Sequence, residues 1–202
     1  MTDKASIDFY FEFSSPYGYL ASLRIDEIAA KHVRRSVWRP FLLGVVFQIT
    51  GHSPLTEQPL RGDYAQHDFR RSARLQKAPF MMPEEFPVLS IAAARAFYWL
   101  EGRNPAQAKQ LAQALYFRIF GEGQNISAPE AVIAVAETLG IDGEELAAAL
   151  QDPVVKERLK TETQTAIDRG VFGSPFVIVD GEPFWGADRL DQVDAWLETG
   201  GW

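Results

Sequence analysis

From Ile7 to Phe13 the chain reads IDFYFEF, alternating acidic with aromatic or aliphatic residues before turning almost continuously apolar. That pattern predicts a strand buried on at least one face. Ser14-Ser15-Pro16 stops the strand and opens a helix, with Pro16 at the first helical position, where its missing N–H costs nothing. Tyr17, Leu20, Ala21, Ile25 and Ile28 then repeat at helical spacing to about His32. Val37-Trp38-Arg39-Pro40-Phe41 predicts a second strand, so the N-terminal quarter reads as a βαβ unit.

The middle of the chain changes character. Residues 51–87 are rich in proline, glycine and polar residues, with a short amphipathic stretch around Tyr64–Leu75. Helices are predicted over Ser90–Leu100, Pro105–Gly121, Pro129–Leu139, Gly143–Leu150 and Asp152–Arg169, most opened by Pro or a polar cap and closed by Gly. After Gly170 the pattern returns to strands. Pro175-Phe176-Val177-Ile178-Val179 is a β-rich run, Asp180-Gly181 is a two-residue hairpin signal, and Pro183-Phe184-Trp185 is the partner strand. Asp188 is placed to cap a final helix carrying Leu190, Val193, Trp196 and Leu197 on one face. The order βαβ, helices, ββα predicts one four-stranded mixed sheet with a helical insertion. We therefore expect a sheet-bearing domain at residues 5–41 and 169–202, and an all-helical insertion at 42–168.

Composition narrows the chemistry. With 47% hydrophobic residues, the chain has enough apolar content for a substantial core. A net charge of −7 argues against nucleic acid or an anionic membrane as the main partner. The chain has no cysteine, so it cannot by itself exchange disulfides, supply a thiolate nucleophile or hold a metal through sulfur. Neither a signal-like start nor a long apolar run is present, and a soluble cytoplasmic protein is expected. His32, His52 and His67 lack metal-ligand spacing, and no metal is expected. There is also no Gly-rich phosphate loop and no Gly-x-Ser-x-Gly elbow.

Four segments carry a resemblance: Asp8 to Tyr17 (DFYFEFSSPY), Arg39 to Gly44 (RPFLLG), Val171 to Pro175 (VFGSP) and Trp185 to Leu190 (WGADRL). In this order and at these separations they resemble the family of kappa-class glutathione transferases and 2-hydroxychromene-2-carboxylate isomerases. That family lies within the DsbA-like thioredoxin superfamily, and the likeness runs nearly end to end. It implies an α/β thioredoxin-like fold, a homodimer, and glutathione held by Ser15, Pro16, Tyr17, Ser174, Pro175, Ala187 and Asp188.

Disulfide oxidoreductases of this fold place a Cys-x-x-Cys thiolate at the first helix start, where this chain has Ser15-Pro16-Tyr17-Gly18. A helix N-terminus favours an anion, and a serine hydroxyl can donate to a thiolate brought by a ligand. Such charge-assisted bonds contribute about 1.5–3 kcal/mol, and Ser15 and the helix end together are expected to lower a thiol pKa by about one or two. Read from the tripeptide alone, Ser15 is equally an ordinary N-cap ahead of Pro16. The resemblance makes it the catalytic serine, with Ser14 as its neighbouring competitor, and makes Pro175 a cis-proline that presents Ser174 to the ligand backbone. Ala187 and Asp188 would meet the γ-glutamyl end.

Two positions depart from the kappa pattern, His52 in place of Asn and Arg61 in place of Lys. His52 reads as a donor to the ligand backbone or as a surface loop residue, and Arg61 as a clamp on the glycyl carboxylate. Arg70, Arg71, Arg74 and Lys77 form a basic cluster, either a solvated helix face or an attractor of an acidic substrate. Phe11, Tyr17, Phe47, Phe80 and Trp185 are candidate walls for an aromatic or conjugated substrate. The resemblance implies a glutathione-dependent isomerase similar to 2-hydroxychromene-2-carboxylate isomerases. A kappa-like transferase conjugating electrophiles and a cysteine-free thioredoxin-like binding module are the alternatives.

Overall fold

The protein is described here by a computed structural model covering residues 6–202. Four strands form one sheet: β1 (Ile7–Phe11), β2 (Ser36–Pro40), β3 (Phe176–Val179) and β4 (Glu182–Trp185), in the order β2-β1-β3-β4. β1 runs parallel to β2 and antiparallel to β3, and β3 is antiparallel to β4. All five residues of β1 are buried, because it is an inner strand with both faces covered. Phe9 and Phe11 pack with Trp38 on one face, and Tyr10 packs with Phe41, Phe176 and Ile178 on the other.

The helices are α1 (Pro16–Ser22), α2 (Ile25–Lys31), α3 (Leu43–Thr50), α4 (Arg61–Gln76), α5 (Ile91–Glu101), α6 (Pro105–Tyr116), α7 (Pro129–Thr138), α8 (Gly143–Gln151), α9 (Pro153–Asp168) and α10 (Leu190–Thr199). The four-stranded mixed sheet with a large helical segment between β2 and β3 matches the thioredoxin-like, DsbA-like expectation. The two parts share a core: Phe9, Phe11 and Trp38 lie in one apolar cluster with Phe97, Leu111, Tyr116 and Leu146. Tyr98 donates to the Pro40 carbonyl at 2.7 Å, and Leu42 N donates to Thr163 at 3.2 Å, fastening the helices to β2. Among the described residues no helix is long and apolar enough to cross a membrane.

Several local expectations need correction. The helix expected from Pro16 to His32 is broken at Leu23-Arg24 into α1 and α2. There the Ser22 hydroxyl donates to the Tyr19 carbonyl at 2.6 Å, and Arg24 closes a tighter turn onto the Ala21 carbonyl. Helix α3 was not foreseen; its eight residues are mostly apolar and show only a weak polar stripe. The helix expected over Pro105–Gly121 ends in a wider turn at Phe117–Gly121, where Glu122 N reaches back to the Phe117 carbonyl. Asp188 does not cap the last helix: it sits in a short 3₁₀ turn, Ala187–Arg189, and α10 begins at Leu190. The Asp180-Gly181 hairpin forms as expected, with φ of 53° and 93° and Val179 opposite Glu182.

Candidate glutathione site

β1 ends at Phe11, and the chain turns through Glu12, Phe13 and Ser14 into α1. Ser15 is the N-cap of α1, its Oγ accepting from Gly18 N at 3.0 Å. The same hydroxyl donates to the Ser174 carbonyl at 2.9 Å. It is a cap, and it also faces the loop before β3. That loop contains a cis Ser174-Pro175 bond. Ser174 Oγ in turn accepts from Glu12 N at 2.9 Å, and Gly186 N donates to the Pro175 carbonyl at 3.0 Å. Three chain segments thus meet at one point through backbone groups, which is how the fold makes the site rigid.

A cleft of about 1950 Å³ opens over this point. Ser15, Pro16, Tyr17, His52, Arg61, Ser174, Ala187 and Asp188 all border it. Pro175 does not; it is buried behind Ser174. Arg61 donates to Gln58 at 3.2 Å and is exposed at the rim, as is His52. The Asp188 carboxylate is exposed beside Gly186, with Arg189 at 3.4 Å. Gly186 holds φ of +112°, a conformation that favours glycine, and it turns the chain from β4 toward Asp188.

Of the expected aromatic walls, Tyr17, Phe47 and Trp185 border the cleft. Phe11 and Phe80 do not. Phe11 points to the helix-covered face of the sheet among Phe13, Trp38, Phe97 and Tyr116, and Phe80 stacks on Phe120 at 5.9 Å. Arg70 and Arg74 on α4 and Lys77 just after it are exposed and do not border the cleft, whereas Arg71 is exposed but donates to Tyr64 and Asp68, which do border it. The structure favours the solvated-face reading for Arg70, Arg74 and Lys77.

Sequence reasoning passed over Glu12. It is buried, borders the cleft and has a carboxyl pushed up to about 7 by burial, with hydrogen bonds from Ser90 and Ser14 opposing that shift. Ser14 N donates to its Oε2 at 2.6 Å. The signal was present: an acid follows directly on the apolar run Phe9-Tyr10-Phe11. Also unforeseen is a second cis bond, Phe86-Pro87, followed by Val88, whose N–H donates to Ser14 Oγ at 3.0 Å. Tyr17 donates to Asp68 at 2.6 Å, joining α1 to α4; burial and that carboxylate both raise its pKa.

A family model described as the DSBA-like thioredoxin domain matches residues 6–198. The chain belongs to this family. The DSBA-like chain is 28% identical over 194 residues to 2-hydroxychromene-2-carboxylate isomerase of Sphingobium xenophagum, covering 95% of this chain and 97% of that protein. It is 24% identical over 206 residues to glutathione S-transferase kappa 1 of Homo sapiens, covering 93% and 88%. A solved structure of a 2-hydroxychromene-2-carboxylate isomerase superposes with a TM-score of 0.86 at 29% identity, covering 96% of this DSBA-like chain and 95% of the other. Its relatives therefore include isomerases and kappa-class transferases along nearly the whole chain, the family resemblance expected from its four segments.

Proposed function

We propose that this protein is a glutathione-dependent isomerase acting on 2-hydroxychromene-2-carboxylate or a similar conjugated aromatic-degradation intermediate. The observation that carries the reading is the convergence of eight expected glutathione residues, from four separate chain segments, on one cleft in a chain without cysteine. Glutathione lies with its sulfur toward Ser15, its backbone along Ser174, its ammonium toward Asp188 and its glycyl carboxylate toward Arg61. His52, Ala187, Pro16 and Tyr17 complete the wall, and Pro175 supports Ser174 from behind.

The sulfur must compete for a hydroxyl already in use, because Ser15 donates to the Ser174 carbonyl. A neutral hydrogen bond contributes about 0.5–1.5 kcal/mol and one to a charged partner about 1.5–3 kcal/mol, so the exchange favours the thiolate by about 1 kcal/mol. One pKa unit is about 1.4 kcal/mol, so the hydroxyl alone lowers the thiol pKa by less than one. The positive end of α1 and the exclusion of water supply the remainder. The thiolate then adds to an electron-poor carbon of the conjugated system. A bond that was double becomes free to rotate, and the thiolate leaves to give the trans product.

A kappa-like transferase using the same site is the second reading, favoured by the human kappa relative. Glutathione accounting separates the two. The isomerase returns all its glutathione after many turnovers, whereas a transferase consumes one per product. If calorimetry at millimolar glutathione detects no binding, both readings fall.

A further inference from the structure

Glu12 is the hub of the site without being one of its expected ligands. Its N–H donates to Ser174 Oγ at 2.9 Å, and its carbonyl accepts from Ser15 N and from Tyr116 Oη, both at 2.9 Å. Its backbone is therefore bonded to Ser15, to the cis-proline loop and to α6. Its carboxyl is buried, accepts from Ser14 N and has Ser90 as its other hydrogen-bonding neighbour, and the residue borders the cleft. No ion pair joins it to a cation among the described residues. The groups that face Glu12 are Tyr116 from α6, whose pKa is raised by burial and then by Glu12, Ser90 from the start of α5, Ser14 from the turn into α1, and Ser174 from the loop before β3. A buried carboxyl on a residue of the cleft wall, with no counter-cation among the described residues and with backbone ties to Ser15, is poorly explained as a structural ion pair.

We propose that Glu12 is the proton acceptor of the cleft: it takes up the proton that the glutathione thiol gives up, with the Ser90 hydroxyl beside it, and returns it when the thiol re-forms. This rests on the glutathione reading above. In the forward step the S–H bond breaks with both electrons left on sulfur, and an O–H bond forms on the Glu12 carboxylate. Sulfur then uses that electron pair to bond carbon, while the π electrons move onto the substrate's carbonyl oxygen. After rotation the electrons return from the oxygen to re-form the carbon–carbon double bond, the S–C bond breaks with its electron pair going to sulfur, and the proton stays on Glu12 until it passes back to that sulfur as glutathione leaves. No oxidant or co-reactant is needed. Two anions in one buried site repel, so thiolate formation and Glu12 protonation reinforce each other.

The test reads two quantities when glutathione binds at pH 8, where Glu12 begins ionised. The ultraviolet thiolate band counts thiolates formed, and calorimetry in buffers of different ionisation enthalpy counts protons released. Wild type is expected to form thiolate with almost no net release, and Glu12→Gln to release about one proton per thiolate formed. An infrared difference spectrum of wild type should show a protonated carboxyl band appearing on binding, and that measurement needs no variant. If wild type forms thiolate, releases a full proton and shows no carboxyl band, the role of Glu12 is overturned while glutathione binding stands. If no binding heat and no thiolate band appear, the glutathione reading falls and the role of Glu12 falls with it.

Discussion

Ser15 and Ser174 stand 159 residues apart in sequence, yet the hydroxyl of one donates to the carbonyl of the other at 2.9 Å. That bond joins the start of α1 to the loop before β3. The proposed chemistry requires the hydroxyl proton to leave this bond for a thiolate and then to go back.

Ser15→Ala removes both the cap bond to Gly18 N and the tie to Ser174. Loss of a cap costs about 1–2 kcal/mol, which chemical denaturation should register. Turnover should fall about fivefold, the rate equivalent of the net 1 kcal/mol that the hydroxyl gives the thiolate. Glutathione affinity should change far less, since the tripeptide's two ends bind elsewhere. An unchanged turnover would remove Ser15 from the chemistry.

Glu12 sets a pH dependence of stability. Its folded-state pKa of about 7 lies above a glutamate's ordinary 4.5, so its contribution is fully present below pH 4.5 and is lost as pH rises through 7. At about 1.4 kcal/mol per pKa unit the loss amounts to about 3 kcal/mol. Melting curves should show wild type losing stability between pH 5 and pH 8 relative to Glu12→Gln. Parallel curves for the two proteins would contradict the burial argument.

Gly18 is a helical glycine whose replacement by Ala would normally add about 1 kcal/mol. Here a β-carbon would meet the Tyr116 hydroxyl, with Ser174 Oγ at 3.1 Å and Ser15 Cβ at 3.2 Å. Overpacking should win, and Gly18→Ala should lose about 1–3 kcal/mol net. Adding Tyr116→Phe, which removes the obstructing oxygen, should recover part of that loss in a double-mutant cycle.

Arg61 and Asp188 lie at separate places on the rim of the cleft. If they hold opposite ends of glutathione, Arg61→Ala and Asp188→Asn should each raise the KM for glutathione about tenfold with little change in kcat, the pattern of lost uniform binding. The combined variant should show the two effects multiplying, because distant sites add in free energy. A fall in kcat with KM intact would assign these residues to the chemical step instead.

Most of the fold was readable along the chain because its signals are local. The apolar run at Ile7–Phe11, Pro16 at the first turn of α1, Asp180-Gly181 between β3 and β4, and Asp152 capping α9 each act within a few residues. The readings that failed turned on local backbone detail that apolar periodicity does not show. α1 and α2 part at Leu23, α3 hides in an apolar stretch, and Asp188 stands one turn short of the helix it was expected to cap.

By itself the sequence determined the order of the four strands along the chain, the absence of cysteine, and the serine ahead of Pro16. Only the tertiary structure decided that Glu12 is buried without a cation among the described residues, that Ser15 already donates to Ser174, and that Phe11 and Phe80 belong to the core. The physical reason is range. Backbone preference and periodicity are set by neighbouring residues, whereas desolvation, hydrogen-bond competition and the choice of buried face depend on atoms brought together from opposite ends of the chain.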